Sequence, residues 1–107
     1  PAPAEAALLT SLAHSIDLMK NVVMIQEQRK RLEDFLDGVE SVTYSPSSAN
    51  FILVKFSVEA NEMYERLASK GVFVRKFSQP ILSHHLRLTV GRPHETTRLI
   101  EALAASV

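Results

Sequence analysis

The sequence predicts an α+β two-layer fold: a small antiparallel or mixed sheet, helices on one face, and a long helical arm ahead of it. Three observations carry this prediction. Residues 5–37 contain no Gly or Pro and repeat apolar side chains at helical spacing. Three later segments, residues 49–56, 72–75 and 85–90, have strand character. Helical stretches then lie between the first two strands and after the third. The order is helix, strand, helix, strand, strand, helix. A right-handed crossover, with the third strand inserted between the first two, makes every neighbour antiparallel and gives strand order 1-3-2.

The arm comes first. Leu8, Leu12, Ile16, Met19 and Val23 fall on one stripe, and Leu32, Phe35 and Leu36 resume it after the polar run Gln26–Arg31, which is expected to face water or a partner. Gly38 is the natural stop. A break is expected near residues 13–17, where Ser15 or Asp17 would cap a second helix. The rest of the chain is too short to cover such an arm, so missing neighbours are expected. The division is an arm over residues 1–40 and a domain over residues 41–107.

Residues 44–48 (YSPSS) read as a turn, and residues 49–56 (ANFILVKF) as a central strand, apolar on both faces. Ser57 is the expected cap of a helix whose stripe is Met63, Tyr64 and Leu67, ended by Gly71. Residues 72–75 (VFVR) form a short strand, and Ser78–Pro80 a loop. In residues 85–90 (HLRLTV), Leu86, Leu88 and Val90 point one way, and His85, Arg87 and Thr89 the other. Pro93 suits the first turn of a last helix that buries Leu99, Ile100 and Leu103.

Composition sets the bounds. The chain has 107 residues, 46% hydrophobic and 22% charged, enough apolar matter for one modest core. Twelve basic residues balance twelve acidic ones, so the basic excess of a nucleic-acid or anionic-membrane binder is absent. There is no cysteine, hence no thiolate chemistry or disulfide. No apolar run is expected to approach the roughly 18 residues needed to cross a membrane. The chain starts at Pro1 without Met, as a piece of a larger protein or a chain stripped of its initiator would.

No catalytic set or metal site emerges. His84 and His85 point to opposite sides of a strand, His14 and His94 stand apart, and Glu62 and Glu65 read as a solvated helix face. Two arginines stand out. Arg75 ends the second predicted strand and Arg87 sits within the third, each with a planar fork of donors suited to a carboxylate or phosphate. In order 1-3-2 their strands are neighbours, so both can converge on one anion. Lys76 faces the other way.

Residues 48–54 (SANFILV), 67–75 (LASKGVFVR) and 86–91 (LRLTVG) followed by Pro93 resemble the C-terminal end of histidinol-phosphate aminotransferases, in the fold type I pyridoxal-phosphate superfamily. Pro3–Ala7 and Arg29–Leu32 resemble the helical entry into their small domain, so the likeness spans the chain. It implies a parent enzyme that moves an amino group between histidinol phosphate and 2-oxoglutarate in histidine biosynthesis. It also implies that Arg87 binds the substrate's carboxylate or phosphate, and that Arg75 helps hold the phosphate. The missing large domain of the same polypeptide, a small-molecule substrate, a cytoplasmic homodimer, and neither nucleic acid nor membrane follow in the same way. Asn50 is expected to serve in backbone hydrogen bonding before the strand.

The departures are as specific. The Schiff-base lysine of such enzymes lies in a serine–lysine motif, and Lys20, Lys30, Lys55, Lys70 and Lys76 all lack it. The phosphate cup and the pyridine-nitrogen Asp partner are missing too. This chain alone is therefore expected to be inactive and to bind no pyridoxal phosphate covalently. Arg92 replaces the family's small residue before Pro93, which weakens the expected helix cap. Two alternatives are another fold type I aminotransferase or phosphate-substrate decarboxylase, and a freestanding, non-catalytic dimerising or ligand-binding module. A piece of an enzyme should leave the stripe from Leu8 to Val23 exposed, whereas a freestanding dimer should cover it.

Overall fold

A computed structural model of the chain describes residues 3–45 and 50–107. Helix α1 (Pro3–Asp37) is followed by β1 (Val42–Ser45), β2 (Phe51–Phe56), α2 (Ala60–Ala68), β3 (Arg75–Lys76), a 3₁₀ turn (Pro80–Leu82), β4 (His85–Thr89) and α3 (Pro93–Ser106). Most of the predicted turn at 44–48, and Ala49 at the start of the first predicted strand, lie outside the described residues.

The sheet has order β1-β2-β4-β3 with every pair antiparallel. The three predicted strands keep the order 1-3-2, and β1 is an added edge strand that sequence reading missed. Val42–Ser45 is four residues long and runs into turn-forming residues, so its period-2 pattern is barely expressed. Its burial alternates all the same, with Val42 buried and Thr43 exposed. The predicted strand at 72–75 shrinks and shifts to Arg75–Lys76. The Val72 N–H instead donates to the Leu67 carbonyl (3.0 Å), helping to close α2, while Gly71 turns the chain at φ +77°.

The expected break in α1 does not occur. The hydroxyls of Thr10 and Ser15 donate to the carbonyls of Ala6 (2.9 Å) and Ser11 (3.0 Å), so they bond the preceding turn rather than cap a new helix. Nor does Ser57 cap α2. Glu59 is the N-cap residue, and the first helical N–H, that of Ala60, donates to the Ser83 carbonyl (2.8 Å). Arg92 is offset from within α3: its N–H donates to Glu95 Oε1 (3.0 Å), so the carboxylate supplies the cap the arginine side chain cannot.

One core joins the layers. Leu32 and Leu36 of α1 and Met63 and Leu67 of α2 pack with Leu99 and Leu103 of α3 over the inward residues of the sheet: Val42, Ile52, Val54, Phe56, Leu86 and Leu88. All three helices thus cover one face. In α1 burial stops at its C-terminal third, where Gln28 is buried rather than facing water as its polar neighbourhood suggested. The stripe from Leu8 to Val23 is exposed. Contrary to the expectation from sequence, the helix holds an 18-residue window of mean hydropathy 1.2, long and apolar enough by length and composition to cross a membrane, because the window tolerates Asp17 and Lys20 between its apolar runs.

Candidate functional site

The sheet face away from the helices is set by register. Leu53 pairs with Arg87, Lys55 with His85 and Phe51 with Thr89 across β2 and β4, and Arg75 pairs with Arg87 across β3 and β4. Residues directly opposite in an antiparallel pair share a face, so Arg75, Arg87, Lys55 and His85 all lie on this side. The alternation of β4 explains why. Leu86 and Leu88 are fully buried in the core, and the residues between them must point out.

The two arginines predicted from sequence are therefore brought together as cross-strand partners. Like charges in that arrangement repel. Among the described residues no carboxylate pairs with either one. Arg87 is half-buried, its guanidinium lies 5.3 Å from the centre of the Phe51 ring, and its Nε is covered without a hydrogen-bond partner. Phe51 is a contact that sequence reading missed. Its signal was the exposed aromatic at the outward position of a strand one pairing step from Arg87. Lys76 does face the other way, with its ammonium 4.4 Å from the centre of the Tyr64 ring on α2. Asn50 uses its backbone: its carbonyl accepts from the Val90 N–H (2.7 Å), continuing the β2–β4 ladder.

A cavity of about 210 Å³ lies beside this face, lined by Gly71, Phe73, Thr89, Glu95 and Arg98 among others. The Glu95 carboxylate makes it a poorer anion site than the arginine pair. No group of His, Asp or Glu suited to a metal occurs among the described residues. All five lysines are exposed, Lys30 being paired with Asp34 at 3.2 Å and Lys76 lying on Tyr64. A lysine that condenses with a carbonyl cofactor is activated by burial or by cationic neighbours in a closed pocket, and none of these sits in one. The residues present do not fit a pyridoxal-phosphate site.

The family model described as aminotransferase class I and II matches residues 1–103. The chain belongs to the class I and II aminotransferases. Relatives in that family include the histidinol-phosphate aminotransferase of Methylibium petroleiphilum, 38% identical over 101 residues that make up 92% of this chain and 27% of that one. The enzyme of the same name from Ruminiclostridium cellulolyticum is 34% identical over 94% of this chain and 27% of its own length. The solved histidinol-phosphate aminotransferase of Sinorhizobium meliloti, in complex with pyridoxal-5'-phosphate, superposes with a TM-score of 0.77 at 25% identity, covering 94% of this chain and 28% of that one. This aminotransferase chain thus spans about a quarter of the length of the relatives it matches, and the fold type I likeness read from its motifs holds.

Proposed function

We propose that this chain is the C-terminal small domain of a histidinol-phosphate aminotransferase, and that Arg87 and Arg75 bind the anionic groups of its substrate. The observation that carries the reading is the Arg75–Arg87 cross-strand pair. Two cations held opposite each other, with no carboxylate paired to either among the described residues, are stabilised by an anion arriving from outside. Arg87 offers a bidentate fork to a carboxylate or phosphate. The Phe51 ring beneath it restricts the guanidinium without consuming a donor. Arg75, exposed at the sheet edge, adds the second positive charge that a dianionic phosphate favours over a lone carboxylate.

The chain's part is binding and orientation. The Schiff-base lysine and the cofactor pocket belong to the large domain of the parent polypeptide. The same reading gives the exposed half of α1 its cover: the large domain packs on the stripe from Leu8 to Val23. Protein suits that stripe better than lipid, because Asp17 and Lys20 would each cost about 3 kcal/mol at the centre of a bilayer. The family resemblance adds a cytoplasmic homodimer with no nucleic-acid partner.

The test is Arg87→Lys in the full-length enzyme. Losing the bidentate contact should raise KM for the phosphorylated amino donor about 10- to 100-fold. Arg75→Gln should weaken binding of the phosphorylated donor more than that of glutamate. Unchanged substrate affinity in Arg87→Lys would remove the arginine face from the site. A start codon immediately before the Pro1 codon would favour the freestanding module instead.

A further inference from the structure

We propose that Arg31 is the positioning residue that fixes the angle between α1 and the arginine-bearing domain. Its guanidinium is the centre of a three-way clasp. Nη1 donates to Gln28 Oε1 (2.8 Å) and to the Pro93 carbonyl (3.2 Å), and Nη2 donates to Thr97 Oγ1 (2.9 Å). The Thr97 hydroxyl in turn donates to the same Pro93 carbonyl (3.0 Å). Gln28 is 6% exposed, so Arg31 also satisfies a buried amide oxygen. The planar fork reaches two groups on the first turn of α3 and one on α1 together, which a lysine cannot do.

Position gives this clasp its consequence. The fully buried apolar anchors of α1, Leu32 and Leu36, lie one turn apart on a single line of the helix, with Ile25 and Phe35 packed only partly against the core beside them. Such a line opposes lifting of the helix better than sideways swinging. Arg31 ties the helix laterally to α3, whose first turn follows β4 by a short connection and so moves with Arg87. From Leu8 to Val23 the large apolar side chains of α1 are exposed, and Met24 and Ile25 are only partly buried. From Leu32 back to Ala7 the lever is about 37 Å long, so a swing of about 10° displaces that end by about 6 Å. Misplacement by about 1 Å is enough to cost a reaction about 100-fold. The inference depends on the reading above for one step only, that the arm joins the arginine face to a substrate held elsewhere in the enzyme.

The absence of cysteine makes the test clean, because spin labels attach only where cysteines are introduced. Double electron–electron resonance on the full chain, diluted into excess unlabelled chain, compares two pairs. Ala7→Cys with Glu101→Cys reads the arm against the domain, and Asn61→Cys with Glu101→Cys reads the domain alone. Arg31→Ala should widen the first distribution by about 6 Å or more and leave the second unchanged. Arg31→Lys should narrow the distribution only part of the way back. A first distribution that stays narrow in Arg31→Ala overturns the proposal. If Arg31→Ala widens both, Thr97→Val decides, since it removes one acceptor and keeps the guanidinium. Widening confined to the Ala7 pair then supports the clasp; a narrow Ala7 pair, or widening of both pairs, overturns it. These distances do not depend on whether Arg87 binds an anion, so each reading can fail while the other stands.

Discussion

The two ends of α1 have the same apolar spacing and opposite fates. Leu32 and Leu36 are 1% and 2% exposed, whereas Leu8 and Met19 are 70% and 67% exposed. Nothing in local propensity separates them, since both ends are built from good helix formers without Gly and with Pro only at the first described residue. The difference is tertiary: the C-terminal third meets the sheet and α3, the latter also through Arg31, whereas the stripe from Leu8 to Val23 is exposed. Periodicity reports which face of a helix wants cover. It does not report who provides it.

The sharpest way to break that comparison is a matched pair of truncations. Leu32→Ala should lower the unfolding free energy by about 3 kcal/mol, from lost burial and the cavity left behind. Leu12→Ala should change it by no more than about 0.5 kcal/mol in this chain, because no packed contact is lost. Urea denaturation followed by circular dichroism reads both. Equal costs would mean that the arm is already covered, as a second copy packed on it would bring about.

The same contrast explains what could be read from sequence. Arg75 and Arg87 were legible because β4 alternates cleanly and the strand order follows from chain connectivity. The relative order of three strands and the buried face of α3 were legible for the same reason. The edge strand β1 was not: at four residues it is too short to show a period. The α2 cap was not either, because its first N–H is satisfied by Ser83, a residue distant in sequence. Gln28 and Arg31 hid in a polar run whose composition says solvent, and only the arrival of α3 makes one buried and the other a clasp. Phe51 under Arg87 needed the β2–β4 register, which is a property of two strands at once.

A smaller effect is expected at the end of α2, where Gly71 takes φ +77°. A Cβ there would be strained by the backbone and would come within 3.2 Å of Arg98 Nη2. Gly71→Ala should cost about 1–2 kcal/mol, most of it from the left-handed backbone. Gly38→Ala, where φ is not positive and the nearest contact to a Cβ is 3.5 Å, should cost less in the same denaturation assay. A reversal of that order would mean that the chain escapes the turn by ending α2 differently.

The smallest expected effect lies at the seam between the two regions, where the last residue of α1 meets the sheet. The Tyr44 hydroxyl donates to Asp37 Oδ1 (2.7 Å), and that hydrogen bond, with burial and the nearby negative charges of Asp37, Glu33 and Asp34, pushes the phenol up to about 12. The hydrogen bond favours the protonated phenol, so the folded chain holds a proton that the unfolded chain releases near pH 10. Its contribution to stability is complete below about pH 10 and is lost as the pH rises toward 12. Absorbance titration of the chain's two tyrosines should show one midpoint near 12, and Asp37→Asn should lower it by removing the charge. The same substitution should flatten the decline in stability between pH 10 and 12. A Tyr44 midpoint that ignores Asp37→Asn would show that the end of the arm is not latched to β1, leaving the core leucines and the Arg31 clasp to hold it.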